Sequence, residues 1–82
     1  MMNGSATVTD RFFRAYEELL ALGRTGLNQF CRDIGADKRN FCKQAADHSR
    51  RIIRAEWLSV MVLKFGVSAD WLLTGRGWIF GE

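Results

Sequence analysis

Residues 27–41 read LNQFCRDIGADKRNF, and their pattern decides the fold. The apolar residues of the first half recur at the spacing of one helical face: Leu27, Phe30, Cys31 and Ile34. Gly35 follows them and marks a tight turn, because glycine readily adopts the left-handed backbone conformation. Asp37 is a typical N-cap for a second helix. The stretch therefore predicts two short helices joined by a tight glycine turn.

The second helix, predicted over residues 38–45, is basic on its outer side. At the α-helical rotation per residue, four side chains fall within an arc of about 140°: Lys38, Arg39, Cys42 and Lys43. Phe41 and Gln44 lie on the opposite side, and we expect Phe41 to anchor the helix to the core. A basic helix of this kind fits the major groove of DNA, which admits one α-helix. The alternative interpretation is an ordinary solvated face.

Positive charge is concentrated in the middle of the chain, which carries a net charge of +3 at neutral pH. The segment from Arg24 to Arg54 holds eight basic and three acidic residues, whereas the remainder holds four basic and six acidic residues. The positive excess thus surrounds the predicted helix pair. A local basic surface favours a polyanionic partner, although charge alone provides only non-specific attraction.

Helical periodicity continues on both sides of this pair, so the predicted fold class is all-α with five helices. We expect the first helix to be capped by Thr9 or Asp10 and to end at Gly23. The fourth helix is predicted over residues 54–65 and the fifth over residues 69–73.

A chain of 82 residues with a 48% hydrophobic share is the size of one small domain. We expect that domain over residues 9–77, between a flexible N-terminal tail (1–8) and an apolar C-terminal tail (78–82). The apolar tail either folds back on the core or meets a second subunit. The residues predicted for a dimer interface are Trp71, Trp78, Ile79 and Phe80.

Several function classes are disfavoured by composition. Two cysteines, Cys31 and Cys42, and the single histidine His48 provide no zinc-binding pattern, so no metal or cofactor is expected. Paired carboxylates and a nucleophile beside a base are missing, which predicts a protein that is not an enzyme and has no small-molecule substrate. The sequence shows neither a secretion signal nor a membrane span. We therefore expect a cytoplasmic protein that does not bind membranes.

Two stretches of the sequence resemble a known family. Residues 27–41 look like the helix-turn-helix of the phage-repressor (Xre/Cro) family of DNA-binding proteins. Residues 65–75, FGVSADWLLTG, resemble the run that closes many such domains. The resemblance covers about residues 9–77. It implies a repressor-like five-helix bundle that binds double-stranded operator DNA, usually as a homodimer.

The resemblance also implies individual roles. The positions that match base-reading residues are Lys38, Arg39, Cys42 and Lys43. Those that match contacts to phosphate or backbone are Thr25, Gly26, Asn28, Asn40, Arg50 and Arg51. Several positions depart from the family's pattern. Leu27 stands where glutamine is frequent, Cys31 where alanine is usual, and Gln44 where an aliphatic residue is common. The stretch from Arg50 to Arg54 lacks the frequent proline-serine helix start.

The leading hypothesis is a sequence-specific transcriptional regulator of the repressor type. Two copies would bind the halves of a palindromic operator, with recognition helices about 34 Å apart. The alternative is an antitoxin-like or adapter module that kept the fold and binds a protein through its fifth helix and apolar tail. A third hypothesis is that the chain is the DNA-binding end of a longer regulator.

Overall fold

A computed structural model describes residues 7–47 and 53–80. This part of the chain contains five helices and no strand, which confirms the predicted all-α, five-helix fold. The helices are α1 (Val8–Ala21), α2 (Leu27–Ile34), α3 (Lys38–Ala46), α4 (Ala55–Leu63) and α5 (Ala69–Thr74). Within the described ranges, no helix combines the length and apolar character needed to cross a bilayer.

Helix α1 begins earlier than the sequence analysis expected. Thr7 is its N-cap: the Thr7 hydroxyl accepts from the Asp10 backbone N–H at 3.1 Å, and the Asp10 carboxylate accepts from the Thr7 backbone N–H at 3.0 Å. This reciprocal capping box satisfies the backbone N–H groups of both Thr7 and Asp10. The prediction of Thr9 or Asp10 as the cap was therefore wrong. Of the expected tail, residues 1–6 lie outside the described residues.

Aromatic rings from four helices form the centre of the core. The buried rings are Phe12, Phe13, Tyr16, Phe30, Phe41, Trp57 and Phe65. The ring centroids of Phe30 and Phe41 are 5.6 Å apart, and those of Phe13 and Phe41 are 5.3 Å apart. Such distances are typical of favourable aromatic pairs. Helices α1, α2 and α3 therefore share one packing centre.

The turn between α2 and α3 has the predicted form. Gly35 adopts a left-handed conformation, with φ of 71° and ψ of 29°, at the end of α2. The Ala36 N–H donates to the Cys31 carbonyl at 2.9 Å, which closes the last turn of α2. Asp37 then caps α3 as expected, since its carboxylate accepts from the Asn40 N–H. The turn and the cap, together with the contact between Phe30 and Phe41, thus define the relation between the two helices.

Helices α4 and α5 close the other side of the molecule. Helix α4 starts one residue later and ends two residues earlier than the predicted range. Arg54 is its N-cap and Lys64 its C-cap, and Gly66 follows with a left-handed φ of 76°. Ser68 caps α5, and Gly75 ends it. The Arg11 guanidinium of α1 donates to the carbonyl oxygens of Leu72 and Leu73 at 2.8 and 3.0 Å. This contact joins α1 to the C-terminal end of α5.

Candidate nucleic-acid interface

Helix α3 is held from behind by one aromatic side chain. Phe41 is only 1% exposed, and its ring centroid lies 5.0 Å from that of Tyr16 in an edge-on arrangement. Because the same ring also contacts Phe13 and Phe30, the side of α3 that faces the core is fixed. The opposite side of the helix is therefore presented to solvent in one defined orientation.

The four predicted base-reading side chains lie together on that opposite side. All of them are exposed, and we call this surface the basic face: Lys38, Arg39, Cys42 and Lys43. Within the described ranges, none of its three cations forms an ion pair with a carboxylate. Their charges are consequently available to an external anion.

The N-terminal end of α2 provides a second set of polar groups. Gly26 is the N-cap and has no side chain, so no side-chain oxygen accepts from the first N–H groups of α2. Helix N-termini of this kind attract anions, since their N–H groups lack partners within the helix. Asn28 and Asn40 are exposed and Thr25 is half-buried. The two remaining phosphate candidates, Arg50 and Arg51, lie outside the described residues.

An acidic residue of α2 is engaged away from the basic face. The Asp33 carboxylate accepts from Gln29 Nε2 at 2.9 Å and from Lys64 Nζ at 3.4 Å. The Lys64 contact links α2 to the residue that follows α4. Sequence analysis missed this pairing, because Asp33 and Lys64 are far apart along the chain. Both contacts use the Oδ1 oxygen of Asp33, whereas Oδ2 is buried without a hydrogen-bond partner.

The two thiols occupy different environments. Cys31 is buried and Cys42 is exposed, and both are free. Burial raises the pKa of the Cys31 thiol, and the neighbouring Cys42 adds to this rise. Cys31 therefore behaves as a small core residue, as its position in the α2 pattern indicated. Cys42 adds a compact, polarisable group to the basic face.

Gln44 is the polar exception on the inner side of α3. Its side-chain oxygen is buried and accepts no hydrogen bond. Most buried polar groups in proteins have partners, so an unpaired amide oxygen destabilises the fold. Gln44 stands where an aliphatic residue was expected, and in the structure its polar oxygen is buried without a partner.

The four residues predicted for a dimer interface do not form one exposed patch. Ile79 and Phe80 pack against the core, and the Ile79 carbonyl accepts from the Ser68 N–H at 2.8 Å. Trp71 is half-buried and lines a cleft of about 440 Å³ between α1 and α5. Trp78 alone among the four is largely exposed, at 77%.

A second apolar surface was not anticipated from the sequence. A groove of about 400 Å³ runs between α4 and α5, and we call it the α4–α5 groove. Its walls include Leu63 and Leu73, which are 84% and 54% exposed. The apolar pattern of α4 could not reveal this groove, because a helix that is apolar on most sides gives no sign of which side is left uncovered.

No family model matches this chain, and no curated protein or solved structure shows significant similarity to it.

Proposed function

We propose that this protein is a sequence-specific DNA-binding regulator of transcription, of the phage-repressor (Xre/Cro) type, that acts as a repressor. In this proposal, α3 lies in the major groove of double-stranded DNA. One observation carries it: the three cations of the basic face are exposed on a helix whose other side is locked into an aromatic core by Phe41. We further propose a cytoplasmic location, which fits the two free thiols.

The chemistry of the basic face suits the recognition of base edges. Lys38 and Arg39 carry the donors that pair with O6 and N7 of guanine, and arginine can do so in a bidentate manner. Cys42 is small and apolar enough to contact a thymine methyl group. Around these contacts, the N-terminal end of α2 and Asn40 would bind phosphates, which set the orientation of the protein on the duplex.

A rigidly held basic helix also explains why this surface is a better candidate for specific than for merely electrostatic binding. Phosphate contacts alone need no fixed geometry, whereas base reading requires side chains to arrive at defined positions. Phe41 holds the core-facing side of α3 in place, and the Asp37 cap fixes its first turn. Together they set the positions from which the base-reading side chains project.

Selection from a random duplex library, followed by sequencing, tests the proposal. We expect enrichment of a palindrome whose half-sites are centred about 34 Å apart, as a symmetric dimer requires. A library without any enriched sequence would contradict specific binding.

The second candidate function is an adapter that kept the fold but binds a protein. The exposed leucines of the α4–α5 groove and the exposed Trp78 favour it. A salt titration with random duplex DNA separates the two functions. Basic DNA-binding proteins bind any duplex at low salt. The logarithm of their affinity falls linearly with the logarithm of the salt concentration. Failure to bind at low salt would favour the adapter.

A further inference from the structure

The two cysteines of the chain lie on α2 and α3, on either side of the corner that joins these helices. Cys31 lies about one turn before the end of α2, and Cys42 lies about one turn into α3. Only residues 35–37 separate the two helices, and one helical turn advances about 5.4 Å. Both thiols, which are free, are therefore close to the same corner.

The residues that precede the two cysteines pack against each other. Phe30 directly precedes Cys31, Phe41 directly precedes Cys42, and the centroids of the two rings are 5.6 Å apart. Helices α2 and α3 are in contact. The axes of packed helices lie about 8–10 Å apart, and Cα atoms stand about 2.3 Å from each axis. Facing positions therefore bring two Cα atoms to within about 5 Å, a separation that a disulfide spans.

The surroundings of Cys31 show that its thiol faces α3. The residue is only 4% exposed, and burial raises the pKa of its thiol. Cys42 raises this pKa further, whereas Lys38 lowers it and Asp37 raises it slightly. All three of these neighbours belong to α3 or to its cap. Lys38 and Cys42 are four residues apart and share one side of α3, so Cys31 lies against that side.

We propose that Cys31 and Cys42 are a redox switch: a peroxide joins them in an intramolecular disulfide, and the bond lowers the affinity of α3 for DNA. Formation of the disulfide depends only on the positions of the two thiols. Its effect on DNA binding rests on the proposed function. Disulfides that form in a reducing cytoplasm are usually transient and catalytic or redox-sensing, which fits such a switch.

The exposed thiol reacts first and the buried thiol second. The Cys42 thiolate attacks one oxygen of hydrogen peroxide, the O–O bond breaks, and hydroxide leaves and takes up the proton of the Cys42 thiol as water. The product is a sulfenic acid at Cys42. The Cys31 sulfur then attacks the Cys42 sulfur, the S–O bond breaks, and the hydroxyl group leaves with the Cys31 proton as a second water. Each sulfur has lost one electron, and one peroxide has become two waters.

The disulfide changes the basic face near its centre. Cys42 lies on this face with Lys38 and Lys43, whereas Cys31 is buried. To bond with a buried sulfur, the Cys42 side chain must turn inwards, which draws this part of α3 towards α2. Base reading requires side chains at defined positions, so we expect the oxidised protein to bind its operator more weakly.

Intact-mass measurement of the dilute full chain, treated with hydrogen peroxide, tests the disulfide. The wild-type monomer should lose the mass of two hydrogen atoms and regain it with dithiothreitol. In Cys31→Ala, the exposed thiol lacks a partner within the chain, so the products should be oxygen adducts at Cys42 or a disulfide-linked dimer. The same products from wild type and Cys31→Ala would overturn the inference, as would a wild type that yields only linked dimers.

A matched control moves the exposed thiol one turn further along α3. Cys42→Ser combined with Ala46→Cys keeps one exposed thiol on the same side of the helix, but about 6 Å further from the corner. This variant should form little intramolecular disulfide. Circular dichroism checks that it remains folded. Yields equal to those of the wild type would show that the bond forms without the packing of α2 on α3, and would contradict the inference.

Fluorescence anisotropy with a selected operator tests the effect of the bond. Oxidised wild type should bind roughly tenfold or more weakly than reduced wild type, with recovery in dithiothreitol. Cys31→Ala, treated with the same peroxide, should lose less affinity. A disulfide that forms without any change in operator affinity would refute the switch. If the reduced wild type binds no duplex, the proposed function fails, while the mass measurement still decides whether the disulfide forms.

Discussion

The carboxylate of Asp37 accepts a hydrogen bond of 3.1 Å from the backbone N–H of Asn40. This bond closes the first turn of α3, from which Lys38 and Arg39 project. The cap therefore orients two of the proposed base-reading side chains. It also places a negative charge at the edge of a surface that we propose binds phosphates.

Two substitutions separate these effects of Asp37. Asp37→Ala removes the cap and should lower the free energy of unfolding by about 1 kcal/mol, whereas Asp37→Asn retains a capping oxygen and should change it little. Both remove one negative charge, so Asp37→Asn should tighten binding to random duplex at low salt. Urea denaturation and fluorescence anisotropy measure the two quantities. Equal destabilisation by both substitutions would show that the charge of Asp37, rather than its capping hydrogen bond, stabilises the helix.

Arg39 is expected to read a base. Arg39→Ala should weaken binding to a selected operator by about 1–3 kcal/mol and relax the preference for that sequence over a scrambled duplex. Arg14→Ala is a suitable control, because Arg14 is an exposed arginine on α1. Anisotropy titrations at one fixed salt concentration measure both changes. Unchanged operator affinity in Arg39→Ala would show that Arg39 has no base-reading role.

The parts of the fold that depend on local chemistry were predictable from the sequence. Gly35 and Asp37 specify a turn and a cap within a few residues, and the structure has both. The start of α1 was mispredicted because Thr9 and Asp10 are capping residues in their own right, and only the Thr7–Asp10 pair is reciprocal. The α4–α5 groove was missed because it depends on where distant helices pack, which periodicity within one helix does not encode.

Gln44 is expected to destabilise α3. Its side-chain oxygen is buried without a donor, and such a group costs about 1–3 kcal/mol. Gln44→Leu should therefore raise the free energy of unfolding by about 1 kcal/mol and leave DNA affinity unchanged, since the residue lies away from the basic face. Ala46→Leu, at an exposed position of the same helix, should change stability by less than about 0.5 kcal/mol. A loss of stability in Gln44→Leu would mean that the amide makes a favourable contact.

Stability should fall in mildly alkaline solution. Burial holds the pKa of Cys31 above its usual value, so above about pH 8.5 the unfolded chain releases a proton that the folded chain retains. The free energy of unfolding therefore decreases as the pH rises through this range. Burial also raises the pKa of Tyr16, which extends the decrease to higher pH.

Cys31→Ala isolates the contribution of the thiol. The variant should show a flatter dependence of unfolding free energy on pH between about pH 8 and 9.5, whatever its absolute stability. Urea denaturation at several pH values gives the slope of unfolding free energy against pH for the wild type and for the variant. Identical slopes for wild type and Cys31→Ala would rule out Cys31 as the source.

A pair of charge-matched double variants tests the central claim, that the basic face of α3 binds DNA. The first removes two cations of that face, Arg39→Ala with Lys43→Ala. The second removes two exposed cations elsewhere, Arg14→Ala with Arg76→Ala. Because both variants lose the same net charge, a difference between them reports location rather than total charge.

The measurement is anisotropy with operator and random duplex across a salt series. We predict that the α3 double variant loses discrimination between operator and random duplex at every salt concentration, while the control variant keeps its discrimination. Equal losses in the two double variants, or no duplex binding by the wild type at low salt, would contradict the claim.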